Sequence, residues 1–179
     1  SGGVGISAIE IAKAMGAKVV AAASSDDKLD ICKQYGADEV INYGGYDLKD
    51  RDQIKLFRND IGKTTSGNGP DIIYDPVGGS YSEPCLRSIA WEGRYLVIGF
   101  AAGADQIPKM PLNLTLLKGC QIVGVFWGAW VGMHPEENKK NFEELFKLYS
   151  EGMINPEVSD SFTLDDGALA IAHLKDRKA

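Results

Sequence analysis

The 179-residue sequence predicts an α/β fold: a Rossmann-type doubly wound parallel sheet with helices on both faces. Three observations predict it. Short, nearly continuous apolar runs such as "AKVVAAA", "DIIYD" and "RYLVIGF" read as strands buried on both faces. Stretches of helical spacing separate them, so strand and helix alternate as crossover connections require. The chain opens on a glycine turn, "SGGVG", that runs straight into an amphipathic helix.

The elements follow in order. Ser7 to Met15 is a helix with Ala8, Ile9, Ala12 and Met15 apolar and Glu10 and Lys13 on another side; Gly16 ends it. Ala17 to Ala23 is a strand. "SSDD" then caps a helix from Asp26 to Tyr35, its two aspartates suited to the positive helix end, and Gly36 stops it. Asp38 to Asn42 is a strand, Gly44 and Gly45 a turn, and Asp52 to Ile61 a helix with Ile54, Phe57 and Ile61 on one side. Asp71 to Asp75 is a strand broken by Pro76, Gly78 and Gly79. Tyr81 to Ala90 is helical, and Arg94 to Phe100 is a strand. A loop runs to Pro111, Asn113 to Lys118 forms one or two helical turns, and Gln121 to Trp127 is the last strand of the series. Pro135 to Glu151 is a longer helix with Phe142, Leu145, Phe146 and Tyr149 as its apolar face. The pattern then changes to a short strand, a turn and a helix starting near Leu164.

Composition narrows the function classes. Hydrophobic residues are 44% and charged residues 25%, ordinary values for a globular chain. The net charge of −6 argues against a nucleic-acid or anionic-membrane binder, while leaving room for a local cationic phosphate site. No apolar run has the length of a membrane span and no leader pattern is visible. Cys32, Cys85 and Cys120 are far apart and form no CxxC pair, so they read as buried thiols in a reducing, cytoplasmic setting.

Gly3-Val4-Gly5-Ile6-Ser7-Ala8 fits G-x-G-x-x-[GA], the turn that lets a backbone approach a pyrophosphate and seats it on helix-start amides. In this architecture the end of the second strand faces the adenosine ribose, where a carboxylate selects NAD. Here that strand ends in Ala23-Ser24-Ser25, with Lys28 soon after. Two hydroxyls and an ammonium suit a 2′-phosphate, so the residues lean towards NADP. The same serines also fit plain helix caps, Lys28 a solvated helix residue, and Asp26 and Asp27 would repel a phosphate if turned inwards.

"SGGVG", "AIEIAKAMGAKVVAAASSDDKL", "GADEVINY", "DIIYDPVGG", "GRYLVIGFAAG", "PLNLTLLKG" and "GVFWG" resemble the NADPH:quinone oxidoreductase (zeta-crystallin-like) branch of the medium-chain dehydrogenase/reductase superfamily. The resemblance covers most of the chain in order. It implies that Gly2, Gly3 and Val4 meet the pyrophosphate of NADP(H). Ser24, Lys28 and Tyr43 would surround the 2′-phosphate, Val77, Gly99 and Phe100 would line the coenzyme, and Phe126 and Trp127 would lie near the nicotinamide. Val77 also fits loop packing, Phe126 and Trp127 fit core or interface aromatics, and Tyr43 fits a strand-end cap. His134 and His173 receive no role.

The resemblance divides the chain into residues 1–155, a nucleotide-binding domain without its first strand, and 156–179, a segment returning to an absent GroES-like substrate domain. A sheet without its central strand leaves backbone groups unpaired on both neighbours. Either those neighbours close up, another copy fills the space, or upstream residues exist. The implied activity is hydride transfer from NADPH to a small-molecule quinone or activated alkene (enone), with a homodimer through the last strand. The alternatives are a non-catalytic NADP(H)-binding module and, less in keeping with Ser24-Ser25, an S-adenosylmethionine-dependent methyltransferase. No catalytic residue is assigned, and the presence of zinc is left open.

Overall fold

The computed structural model describes residues 2–156 and 158–175. Ser1 of the opening turn and the closing Asp176–Ala179 of the C-terminal segment lie outside the described residues. The elements run α1 (Gly3–Ala14), β1 (Val20–Ala23), α2 (Asp26–Gln34), β2 (Glu39–Asn42), α3 (Arg51–Thr64) and β3 (Ile72–Asp75). A 3₁₀ turn (Gly79–Tyr81) leads into α4 (Ser82–Ser88), then β4 (Arg94–Val97) and a second 3₁₀ turn (Ala104–Gln106). The chain continues through α5 (Asn113–Lys118), β5 (Gln121–Gly124), α6 (Trp127–Met133), α7 (Pro135–Ser150) and α8 (Gly167–Lys175).

All pairings are parallel, but they form two sheets among the described residues: β1-β2, and β3-β4-β5. β1 and β3 each keep one edge without a strand partner. The single sheet read from sequence is therefore split, and its two inner strands do not close up on each other. Backbone hydrogen bonds join only strands about 4.8 Å apart, so strands that are not adjacent form no ladder.

Helices cover both faces, because alternate strand residues point opposite ways. Ala21 and Val40 meet Ile9 of α1 and Cys32 of α2 in one cluster. Val20 and Ile41 meet Phe57 and Ile61 of α3 in another, on the opposite face. The second sheet buries Tyr95 with Leu86, Ile89, Leu114 and Cys120. Aromatic rings join the halves: Tyr81 lies 4.5 Å from Tyr43 and 6.0 Å from Phe57, centroid to centroid.

Local signals explain most boundaries. The Asp50 carboxylate accepts from Asp52 N and starts α3; Pro135 opens α7, with Glu136 and Glu137 at its positive end. Four expectations are corrected. The last strand stops at Gly124, and Trp127 begins a helix in which Trp130 stacks on His134 at 5.2 Å. An apolar run has the same look in a buried strand and in a helix, so periodicity did not separate them. No strand forms among the described residues after Pro156, and α8 begins at Gly167 rather than Leu164. The strand "RYLVIGF" ends at Val97, three residues early. Glu10, expected on a polar side, is buried, and its carboxylate accepts from Asn155 N at 2.7 Å. That bond ties α1 to the segment after α7.

Candidate functional site

The parallel register aligns the strand ends. Ala23 lies beside Asn42, and Asp75, Val97 and Gly124 lie abreast. Within each sheet, whatever follows a strand therefore emerges at one rim. In the first sheet these are Ser24 and Tyr43; in the second, Val77, Gly99, Phe100, Phe126 and Trp127. The N-terminus of α1 supplies Gly2, Gly3 and Val4.

The glycine turn differs in detail from the sequence reading. Gly3 and Gly5 already belong to the first turn of α1, and Gly2 is its extended N-cap (φ −98°, ψ 171°). Among the described residues no side chain caps this helix. A helix start leaves its first amides without intrahelical acceptors, so those of Gly3, Val4 and Gly5 are available to an anion. A Cβ built on Gly2, Gly3 or Gly5 would meet no atom within 4 Å. Protein packing does not demand glycine there; a close ligand would. On this observation the residues fit a pyrophosphate-bearing coenzyme.

At the end of β1, Ser24 is exposed and Lys28 lies one helical turn on, in α2. Lys28 forms no ion pair or hydrogen bond among the described residues. The Asp26 carboxylate instead accepts from Asn42 Nδ2 at 2.7 Å. Tyr43 is held beside this corner: its amide donates to Ala23 O at 2.9 Å. Gly44 follows so closely that a Cβ there would sit 2.1 Å from Ser24 O. Only glycine permits that approach of the two loops.

Sequence reasoning missed the centre of the second rim. The Asp75 carboxylate accepts from Val77 N (2.9 Å) and Gly78 N (2.8 Å) through Oδ1. Its Oδ2 accepts from Ser82 Oγ (2.9 Å) and from the Tyr95 hydroxyl. This carboxylate sets the turn that carries Val77, and Gly78 and Gly79 complete it at φ +71° and +73°. The available signal was an aspartate placed directly before Pro-x-Gly-Gly, the pattern of a side chain that bonds the backbone just after it. Burial, and then the bond to Asp75, push the Tyr95 phenol far above its usual range. Burial, with the Asp75 charge second, pushes the Cys85 thiol up to about 12. Neither group is poised to ionise near neutrality.

The remaining expected contacts are exposed. Phe100 is 43% accessible and would touch a Cβ at Gly78; Phe126 and Trp127 are 79% and 60% accessible. They stand at the rim rather than in the core, so the core alternative for these aromatics is set aside.

A doubly wound α/β domain with these loops at its carboxyl rim belongs to the class that binds ligands there. More particularly, the chain belongs to the zinc-binding dehydrogenase family, whose pattern it matches over residues 3–151. Among its relatives is quinone oxidoreductase-like protein 2 of Bos taurus, 33% identical over 180 residues, all of this chain and 48% of that protein. Another is acryloyl-coenzyme A reductase of Sulfurisphaera tokodaii, 34% identical over 177 residues, 99% of this chain and 46% of that protein. The structure of mycobacterial Rv1454c complexed with NADPH superposes with a TM-score of 0.83 at 25% identity, covering 99% of this chain and 52% of that one. The chain thus spans about half the length of the curated relatives it matches. The family's name implies zinc. Among the described residues no group of three or more His, Cys, Asp or Glu side chains is placed to hold a metal ion, so these residues do not fit one. No helix among them is long and apolar enough to cross a membrane.

Proposed function

We propose that this chain holds NADP(H) for an oxidoreductase that reduces a quinone or an activated alkene. The observation that carries the coenzyme choice is the end of β1: exposed Ser24 followed by an unpaired Lys28, with the nearby Asp26 carboxylate engaged by Asn42. A ribose-binding carboxylate would favour NAD; a free ammonium and a hydroxyl favour a 2′-phosphate. Gly2, Gly3 and Val4 would seat the pyrophosphate. Val77, Gly99 and Phe100 would line the coenzyme, and Phe126 and Trp127 would screen the nicotinamide end from water. The bound nicotinamide supplies the hydride. The protein's part is to orient that ring and exclude solvent. The NADPH in the mycobacterial neighbour and the acceptors named for the two relatives support this reading.

The test is a titration with NADPH and NADH, followed by tryptophan fluorescence. NADPH should bind more tightly. Lys28→Ala should weaken NADPH by roughly tenfold, the value of one charge-assisted hydrogen bond, and leave NADH unchanged. Equal loss for both coenzymes would remove Lys28 from the phosphate site. A protein that binds NADPH yet oxidises none with any quinone or enone would favour a non-catalytic binding module.

A further inference from the structure

A second concave site lies apart from the residues assigned to the coenzyme. It is a groove of about 800 Å³ between the start of α3, the turn into α4 and the loop after β4. That volume is in the range of small-molecule sites. Its charged lining is Arg51, Arg58, Arg87, Lys109 and Glu83.

Three of the chain's five arginines are therefore gathered in one groove of a protein with net charge −6. Arg51, Ile54 and Arg58 recur at helical spacing on one face of α3, so the two guanidinium stems start about 10 Å apart along the axis. Neither arginine, nor Lys109, has an ion-pair partner among the described residues. Glu83 engages Arg87 alone, through Nε at 2.9 Å and Nη2 at 2.6 Å. Four cations thus face one carboxylate, beside the apolar Leu48, Ile107 and Pro108. Like charges collected in a concavity raise the local concentration of an anion, and arginine is the side chain best shaped for phosphate oxygens.

We infer that this groove binds the phosphorylated, nucleotide-bearing carrier of the substrate, so that the preferred acceptor is an activated alkene held as a thioester on such a carrier. A free, uncharged quinone would have no use for these cations. The inference rests on the proposed reductase reading. Its placement follows from the chain: the groove begins at Gly79 and Ser80, in the turn that also carries Val77. That shared turn brings one end of the groove next to the loop assigned to the coenzyme. Ser24, Lys28, Tyr43 and the glycine turn do not line the groove, which separates it from the proposed 2′-phosphate corner.

The test is calorimetric titration of the protein with coenzyme A as the probe, in the presence of saturating NADPH. ATP and inorganic pyrophosphate serve as comparison ligands. Coenzyme A should bind alongside NADPH, more tightly than either comparison ligand, and should weaken steeply with added salt. The exposed pair Arg51→Glu/Arg58→Glu should weaken it about tenfold or more and leave NADPH affinity unchanged; Lys109→Glu, on a different element, should weaken it several-fold. Absence of coenzyme A binding would overturn the inference. So would pyrophosphate or ATP binding as well as coenzyme A, which marks a general anion site, or an equal loss of NADPH affinity in the double variant, which assigns the groove to the coenzyme. NADPH binding by the unmodified protein is read separately, so failure of the coenzyme reading is distinguishable from failure of this one.

Discussion

Asp75 offers the sharpest test of how the second rim is held. Its carboxylate satisfies two backbone amides and two hydroxyls, and the hydroxyls belong to nearly inaccessible residues, Tyr95 at 2% and Ser82 at 1%. Asp75→Ala removes all four acceptances at once. A buried donor left without an acceptor costs about 1–3 kcal/mol. Two such hydroxyls, together with two partly buried amides that water reaches in part, give an expected loss of about 3–5 kcal/mol. Against a typical total of about 5–15 kcal/mol, that is a large share. Tyr95→Phe removes one donor and orphans nothing, so it should cost only about 1 kcal/mol. Asp75→Asn keeps an acceptor for the two amides but presents an N–H₂ to the two hydroxyls, and should fall between the two. The assay is equilibrium urea unfolding, with stability taken from midpoints at an unchanged slope. An Asp75→Ala protein within about 0.5 kcal/mol of the parent, the range of ordinary surface changes, would refute the account of Asp75 as the organiser of this turn.

Three further outcomes are expected. The Lys13 ammonium beside Asp38, with the Val19 amide, holds that carboxyl below its ordinary 3.8, and Lys63 with Tyr46 does the same for Asp60. Both groups bind protons more readily unfolded than folded, so their stabilisation is complete above about pH 4 and fades as pH falls through the lowered values; melting temperature should drop across that window, and less so in Lys13→Ala. The Cys85 thiol, raised to about 12, and the buried Cys32 and Cys120 should resist a thiol reagent at pH 8 in the native protein and all react once it is unfolded; rapid labelling of the native protein would contradict the buried placement. Among the described residues β5 pairs on one side only, and the Ile122 amide faces its free edge because Gln121 N and Val125 N donate to β4, so the homodimer proposed through this edge should show in sedimentation as a concentration-dependent species that Ile122→Pro abolishes; a monomer at all concentrations would remove that proposal.

Most element types were legible from sequence because each rests on short-range chemistry. Asn113–Lys118 is helical as read, and the strands ending at Ala23, Asn42 and Asp75 lie where apolar runs ended in turn residues. The rim followed, since parallel strands deliver their following loops to one side. The corner proposed for the coenzyme rests on a local pattern as well, a strand end followed by Ser-Ser and a lysine. Trp127 was placed on a strand because an apolar run is ambiguous, and the helix that it opens shows in the stacking of Trp130 on His134, one turn apart. Glu10 was placed in solvent because its partner, Asn155, is 145 residues away.

By itself, then, the sequence determined the alternation of strand and helix, the glycine-led helix start, and the absence of a carboxylate at the end of β1. Each depends on neighbours a few residues apart. Tertiary structure alone decided that the strands form two sheets, that Asp75 gathers donors from as far as Tyr95, and that arginines from α3 and α4 meet Lys109 across one groove. Those arrangements join groups that no periodicity relates, and they exist only once burial has forced polar atoms to find distant partners.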